Sequence, residues 1–328
     1  MRISIDEARK RAVEALGGIG YAPPQAGAIA DHLLDCELRG LPFSGLARVI
    51  SIAERVAERG LGGEMRLVRQ TPISAQIDGG DAIGYLVAGM ASDIVREKAK
   101  QAGMAIVGAN RTWYTGMLSF YAEKITEAGL VAIIASNTAP WVAPQGGTEA
   151  VFGTNPLCVG FPSAGQPVIW DIGTSNIIHA QAILAQRRGE PLAPGLAFDR
   201  AGAPTTDPAA ALAGAFTPWG GHKGAGLGLV VQMLGMLAGS PASPEGLGDF
   251  GFLVIAIDPA LLGSLDDFKA RIARYAESVR ASRPADPANP VRMPFDRSRA
   301  DRRERLARGA LDIPDPILET LTQLARRA

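Results

Sequence analysis

The sequence predicts an α/β fold in which a central sheet domain is combined with a helical domain drawn from both ends of the chain. Three observations support this prediction. Apolar residues recur at helical spacing near the N-terminus and again after residue 264. Short β-branched or apolar segments bounded by Gly, Pro or Asn fill the middle. Of the 328 residues, 47% are hydrophobic and 20% are charged, which suffices for a sizeable core.

The first part of the chain is predicted to be helical. The predicted helices cover residues 4–17, 25–39 and 45–59. Pro23 and Pro24 open the second helix, because proline is tolerated in a first turn, and Gly60 ends the third. We assign residues 1–68 to the N-terminal part of the helical domain.

From about residue 72 onward, strands and helices alternate. The predicted strands are 73–79, 105–110, 130–136, 157–162, 167–173 and 252–258, and the predicted helices between them are 85–102, 116–128 and 224–239. This order predicts an α/β domain over residues 69–263. Helices predicted at 264–281, 297–309 and 314–327, with a proline-rich loop at 282–296, place residues 264–328 in the helical domain.

Composition argues against several classes of protein. The 33 basic and 33 acidic side chains cancel, so no overall field attracts nucleic acid or an anionic membrane. No apolar run has the length of a membrane helix. Cys36 and Cys158 form no CxxC pair, which favours a reducing cytoplasm. Three scattered histidines and two scattered cysteines predict no metal site.

Two turns in the first half of the chain carry candidate binding residues. In RGLPFSGLAR, Arg39 and Arg48 flank Ser44 where a helix begins, and a helix N-terminus beside a guanidinium suits a carboxylate. An ordinary Ser44 cap with two surface arginines is the alternative interpretation. In FGTNPLCVGFP, residues 152–162, the Gly-Thr-Asn-Pro turn offers groups for a phosphate or an amide, or is simply a turn between strands.

Two later segments are also candidates. In VIWDIGTSN, Asp171 ends an apolar strand, where α/β proteins place working residues, and a capping aspartate is the alternative. In PWGGHKGAGLGL, Lys223 lies at a helix N-terminus, where a cation is unfavourable unless an anion such as a cofactor phosphate binds beside it. The glycines at 224–229 follow no strand directly, so they indicate a closely packed helix rather than a Rossmann fingerprint.

Together these segments resemble the type 2 malate/L-lactate/L-sulfolactate dehydrogenase family, which includes Δ1-piperideine-2-carboxylate and Δ1-pyrroline-2-carboxylate reductases. The ordered motifs are RG-x-x-x-SGLAR near residue 44, GGTEAVFGTNP (146–156), DIGTS (171–175), GAPTTDP (202–208), GGHKG (220–224) and RMPFDR (292–297). The resemblance covers nearly the whole chain. It implies a non-Rossmann malate/L-sulfolactate dehydrogenase-like fold, with a central mixed-sheet cofactor domain and a homodimer whose active site lies near the interface.

The resemblance also implies roles for individual residues. Asp171 matches an aspartate of the catalytic relay, and Arg48 matches an arginine that holds the substrate carboxylate. Thr154 is expected beside the substrate, and so are Phe43 and Trp113, because their side chains offer apolar walls suited to a ring. NADPH or NADH is expected to bind in an extended form. The residues expected to contact it are Thr112, Tyr114, Thr154, Asn155, Gly173, Thr174, Ser175, His222, Lys223, Gly224 and Arg297.

Two positions depart from the family pattern. The usual Ser-His-Gly, whose histidine donates a proton, is Phe43-Ser44-Gly45 here, and the usual Asn-Ser-x-His is Asn110-Arg111-Thr112-Trp113. Reduction of a ketone gives an alkoxide, so loss of a positioned acid typically lowers the rate ~100-fold or more. A cyclic imine is already partly protonated, so Ser44 with Asp171 or a water suffices. We therefore expect a reductase of Δ1-pyrroline-2-carboxylate or Δ1-piperideine-2-carboxylate.

Two other functions stay open at this point. One is a 2-keto acid reductase of malate or lactate type that uses Ser44 and water. The other is a catalytically inactive nucleotide-binding dimer, against which the retention of Arg48, Asp171 and Lys223 argues. NADPH is expected rather than NADH, because arginines near 297–303 suit a 2′-phosphate and the resemblance to the imine-reducing members implies it.

Overall fold

The computed structural model describes residues 1–327, and the chain divides into two compact units. The first unit comprises Met1–Gly62 together with the chain from Ala273 onward, and the second comprises Gly63–Ile272. The boundaries between the two units therefore follow residues 62 and 272. The sequence predicted the domain boundaries after residues 68 and 263.

Helices dominate the first unit, and the second combines helices with strands. In chain order the helices are α1 (Ile5–Ile19), α2 (Pro23–Leu38), α3 (Arg48–Arg59), α4 (Gly84–Ala102), α5 (Ser119–Glu127), α6 (His179–Arg188), α7 (Pro208–Ala213), α8 (His222–Leu237), α9 (Leu265–Arg280), α10 (Asp296–Arg308) and α11 (Asp315–Ala325). The strands are β1 (Arg2–Ser4), β2 (Arg66–Thr71), β3 (Ser74–Ile83), β4 (Met104–Trp113), β5 (Val131–Ser136), β6 (Leu157–Phe161), β7 (Val168–Ile172), β8 (Ala197–Phe198), β9 (Pro204–Thr205), β10 (Ala215–Phe216), β11 (Phe250–Ile257) and β12 (Ala310–Asp312).

The second unit is built on a seven-stranded sheet in the order β2-β3-β4-β11-β5-β6-β7. β3 and β4 are parallel and are connected by α4, whereas the other neighbouring pairs are antiparallel, so the sheet is mixed. The apolar strand β11, with sequence FGFLVIAI, is largely buried and contacts both α4 and α8. The prediction of an α/β fold with a mixed sheet is confirmed.

The first unit packs its helices around α1. The Ser4 hydroxyl accepts a hydrogen bond from the Glu7 backbone N–H over 3.1 Å and so begins this helix. α1 buries a face that includes Ala12 and Leu16, and the helix contacts α2 and α11. β1 pairs antiparallel with β12, which brings the first and last parts of this unit side by side.

Most of the predicted elements are confirmed, with ends that shift by a few residues. The predicted helix 45–59 is wrong in its first turn, because residues 42–44 form a separate 3-10 turn and α3 begins only at Arg48. Gly45, with ψ −141°, separates the two. The elements not predicted from the sequence are α6, α7, the edge strand β2 and the short strands β1, β8, β9, β10 and β12. Within residues 1–327, no helix combines the length and the apolar character that crossing a membrane requires.

Candidate active site

The turn between α2 and α3 carries two of the predicted site residues and leads into a third. Phe43 and Ser44 are partly exposed, and Arg48 is the first residue of α3. Arg48 and Arg39 are only 7% and 2% exposed. The N-cap of α3 is Ala47, which makes no side-chain cap bond. The interpretation of Ser44 as an ordinary cap between two surface arginines is therefore wrong.

The C-terminal segment RMPFDR contacts the residue that starts this turn. The Arg39 guanidinium lies 4.6 Å from the ring centroid of Phe295, and its Nε lies 2.6 Å from Asp35 Oδ2. Phe295 has φ 75°, a left-handed conformation that is costly for a bulky residue. Arg297 follows as an exposed residue in the first turn of α10. The first unit thus holds the predicted substrate turn and a predicted cofactor segment against each other.

Three further predicted segments meet in the second unit. Thr174 donates its backbone N–H over 3.0 Å and its hydroxyl over 3.2 Å to the Thr154 carbonyl oxygen. The Trp219 N–H donates to the Thr174 carbonyl oxygen over 2.9 Å, and a Cβ added to Gly224 would overlap the Trp219 carbonyl. The Ser175 hydroxyl donates to a nearby carbonyl over 2.7 Å. The GTNP, DIGTS and GGHKG segments therefore form one connected structure.

Asn155 holds this structure to α8 through its side chain. Its Oδ1 accepts from the Thr138 N–H over 3.2 Å, and its Nδ2 donates to the Gly228 carbonyl over 2.7 Å and to Gln232 Oε1 over 2.8 Å. A Cβ added to Gly228 would lie 2.7 Å from the Phe152 ring. The prediction of close helix packing is confirmed for Gly224 and Gly228, whereas Gly226 has open space around it. Any contribution of the buried Asn155 to a cofactor must come through the shape of its turn.

The N-terminus of α8 offers donors for an anion. Gly220 and Gly221 have φ 61° and 64°, and they lead the chain into the exposed His222 and Lys223. The free N–H groups of a first helical turn together with an ammonium group fit a phosphate. The Trp219 indole beside them is 47% exposed. This donor set fits the pyrophosphate of a nicotinamide cofactor.

Asp171 lies near the end of β7, directly before Ile172 and Gly173, and contacts the start of α5. Its Oδ2 accepts from the Ser119 backbone N–H over 2.7 Å. Desolvation raises the pKa of Asp171, and hydrogen bonds from Ser119 and Leu118 oppose that rise. The Asp171 carboxylate therefore caps the N-terminus of α5 from strand β7. This agrees with the interpretation of Asp171 as a capping aspartate. Ser44 and Asp171 belong to different units, and their contact stays a prediction.

The remaining predicted residues lie near the end of β4. The Thr112 hydroxyl donates to the Ala82 carbonyl over 2.8 Å, and the Trp113 indole N–H donates to the Asp81 carbonyl over 3.0 Å. Both side chains are fully buried, whereas Tyr114, with φ 51°, is partly exposed. The structure thus gives Thr112 and Trp113 a packing role, and their contacts with cofactor and substrate stay predictions.

Three residues near the candidate site were not recognised from the sequence. Glu37 accepts a hydrogen bond from the turn that carries Ser44, and Ser119 contacts Asp171. Trp219 stands exposed beside the two glycines that precede α8. Two signals in the sequence were available for them. Glu37 is a carboxylate among the apolar residues of α2, and Trp219 is an aromatic residue next to paired glycines.

Comparison with known proteins identifies relatives along the whole chain. A sequence profile of the malate/L-lactate dehydrogenase family matches residues 3–322. The L-sulfolactate dehydrogenase of Methanothermobacter thermautotrophicus is 31% identical over 337 residues, covering 99% of this chain and 97% of that protein. The Δ1-pyrroline-2-carboxylate reductase of Ancylobacter novellus is 34% identical over 342 residues, covering 100% and 98%. A solved dehydrogenase structure from Sinorhizobium meliloti has a TM-score of 0.91 at 36% identity, covering 99% and 98%.

Proposed function

The chain belongs to the malate/L-lactate dehydrogenase family, and within it we propose that the protein reduces cyclic 2-imino acids with NAD(P)H. The products are L-proline from Δ1-pyrroline-2-carboxylate and L-pipecolate from Δ1-piperideine-2-carboxylate. Membership of the family makes the protein an oxidoreductase that uses a nicotinamide cofactor. The observation that carries the narrower proposal is Ser44, which stands in the partly exposed turn before Arg48, where the family resemblance expects a histidine.

The chain's histidines lie elsewhere in the fold. His32 is buried in α2, and His179 and His222 begin α6 and α8. A ketone needs a positioned acid, because its reduction places negative charge on an oxygen that must be protonated. A cyclic imine takes up its proton before reduction, and hydride addition to the resulting iminium gives a neutral amine. A turn with a hydroxyl and no imidazole therefore matches an imine better than a ketone.

Each site residue has a defined task in this proposal. Arg48 holds the substrate carboxylate, for which a guanidinium offers two parallel donors. Ser44 orients the ring nitrogen through its hydroxyl, and Asp171 supports the proton on that nitrogen, directly or through water. Phe43 supplies an apolar wall for the ring. Trp113 and Thr154 are proposed beside the ring as well.

The cofactor is proposed to lie along the connected segments of the second unit, with its pyrophosphate at the N-terminus of α8. His222 and Lys223 bind the phosphates, and the backbone around Thr154 and Thr174 fixes the shape of the site. The cofactor supplies the hydride. We propose NADPH as the preferred form, because Arg297, the last residue of the RMPFDR segment, is exposed and can pair with a 2′-phosphate.

A homodimer is the proposed assembly, and one face of α8 supports it. After its first turn the only polar side chain of α8 is the buried Gln232, so the surface face of the helix is apolar. Its exposed apolar side chains are Leu229, Val230, Met233, Met236 and Leu237. Such a continuous apolar patch marks an interface in water. Cys36 and Cys158 are buried and free, which agrees with the proposed reducing cytoplasm.

A substrate panel against both cofactors tests the proposal. We expect turnover with both cyclic imines, faster with NADPH, and little turnover with pyruvate, oxaloacetate or sulfopyruvate. Fast reduction of a keto acid together with no reduction of either imine would refute it. Tight cofactor binding without turnover on any of these compounds would instead identify an inactive nucleotide-binding protein.

Ser44 variants test the chemical reasoning. Ser44→Ala should lower imine turnover by more than it changes cofactor affinity. Ser44→His restores an imidazole at this position and should raise keto-acid turnover relative to imine turnover, because a ketone gains most from a positioned acid. An unchanged ratio between the two substrate classes in Ser44→His would remove this residue from the argument.

A second candidate function is reduction of a 2-keto acid by Ser44 and water. The observation in its favour is the similarity to an L-sulfolactate dehydrogenase, which lies within a few per cent identity of the similarity to the pyrroline carboxylate reductase. The same substrate panel distinguishes the two candidates.

A further inference from the structure

Glu37 is a buried carboxylate at the end of α2 whose side chain turns toward the Ser44 turn. It is only 9% exposed. Its Oε1 accepts a hydrogen bond from the backbone N–H of Leu46 over 2.7 Å, in a buried setting. A hydrogen bond in such a setting is stronger than one in water, because the local dielectric is low. The bond fixes the backbone between Ser44 and Arg48.

Gly45 gives a second, independent sign of this contact. A Cβ added to Gly45 would overlap the carboxylate of Glu37. The φ of Gly45 is −91°, so a left-handed conformation is not what favours a glycine here. Instead, the close approach of the Glu37 carboxylate leaves no room for a Cβ at residue 45. Glu37 thus shapes the turn on both sides of Gly45.

The base of Glu37 is held firmly by α10. Arg305 Nη1 donates to the carbonyl oxygens of Glu37 and Leu38 over 2.9 Å each. Asp35, two residues before Glu37, lies 2.6 Å from both Arg39 and Arg302. The two bonds from Arg305 satisfy carbonyls at the end of α2 that have no partner within the helix. The carboxylate therefore projects from a rigid support.

We propose that Glu37 is the positioning residue that sets the Ser44 turn for substrate binding. Its carboxylate holds the Leu46 N–H, and this bond fixes how the Ser44 hydroxyl and the Arg48 guanidinium are presented. Glu37 itself touches neither the substrate nor the cofactor. The role of the turn in binding substrate rests on the proposed function. The shape of the turn rests on the contacts of Glu37 with Leu46 and Gly45.

Steady-state kinetics on Glu37→Gln and Glu37→Ala test the role in binding. We expect Glu37→Ala to raise KM for the imine at least tenfold and to leave cofactor affinity within twofold. Glu37→Gln keeps an oxygen that can accept from Leu46 and should recover most of this loss. Leu33→Ala is the matched control, because it empties a fully buried site on the same helix and removes no hydrogen bond to the turn. An equal rise in KM in Leu33→Ala, or no rise in Glu37→Ala, would overturn the proposal.

Amide hydrogen exchange tests the shape of the turn without any substrate. Glu37→Ala should accelerate exchange of the Leu46 amide, and Glu37→Gln should restore protection. Gly45→Ala should also disturb the turn strongly in the native chain and much less in a Glu37→Ala background, because the clash has been removed. Unchanged Leu46 exchange, or an equal effect of Gly45→Ala in both backgrounds, refutes the positioning role. A wild-type protein that reduces no imine would refute the proposed function instead.

Discussion

Replacing Asn155 by alanine is expected to destabilise the second unit strongly. The side chain makes three buried hydrogen bonds, one with the Thr138 N–H, one with the Gly228 carbonyl and one with Gln232. The residue is fully buried, so water does not replace these partners. Asn155 also has φ 39°, a left-handed conformation that asparagine tolerates better than alanine.

The expected loss follows from these contacts. Each buried hydrogen bond contributes about 1 kcal/mol, so three contribute about 3 kcal/mol. The left-handed backbone adds ~1 kcal/mol for alanine. The total of ~4 kcal/mol is a large share of the roughly 5–15 kcal/mol that stabilises a typical protein.

Urea unfolding followed by tryptophan fluorescence measures this loss. Asn155→Asp is the matched control, because it keeps the shape and the acceptor for Thr138 and loses both donor bonds. Its loss of stability should shrink as pH falls, since a protonated carboxyl group can donate again. A decrease in the free energy of unfolding of less than about 1 kcal/mol in Asn155→Ala, the contribution of a single bond, would refute this prediction.

Three further predictions concern the same unit. Desolvation raises the pKa of Asp171, so the folded state binds the Asp171 proton more tightly than the unfolded state does. The free energy of unfolding should therefore fall as pH rises from the ordinary pKa of 3.8 to the raised pKa. Asp171→Asn should remove that fall in urea titrations, and an unchanged pH profile in this variant would contradict the prediction. Gly224→Ala should lower the free energy of unfolding by about 1–3 kcal/mol, because its Cβ would overlap a backbone carbonyl; the control Gly89→Ala, which has open space around it, should be neutral or stabilising by up to ~1 kcal/mol. Met233→Glu should convert the proposed dimer into a folded monomer in light scattering, and a variant of unchanged mass would argue against the α8 interface.

The repeating patterns of the chain predicted the elements that bury an apolar face. β3, β5 and β11 place apolar residues toward the core, so their sequences alternate or run apolar. β2 was missed because RLVRQT is exposed along its whole length at the sheet edge and carries no burial pattern. Residues 42–47 were assigned in part to a helix, because local sequence does not reveal that Gly45 packs against Glu37.

The candidate site was predictable as a set of segments but not as a set of contacts. The motifs pointed to the GTNP, DIGTS and GGHKG segments, which the structure joins through Thr154, Thr174 and Trp219. Which polar side chains face inward depends on partners far along the chain, as the bond from Asn155 to Gly228 shows. Sequence alone therefore could not separate residues that shape the turns from residues that are free to contact a ligand.

The pairing of β1 with β12 has a consequence for folding during synthesis. The second unit is continuous in sequence, so all of its residues are synthesised before α10 and α11. α1 contacts α11, and the core of the first unit therefore stays incomplete until α11 emerges. Nascent chains stalled before α11 should leave α1 to α3 sensitive to protease and open to chaperones, while Gly63–Ile272 is already resistant.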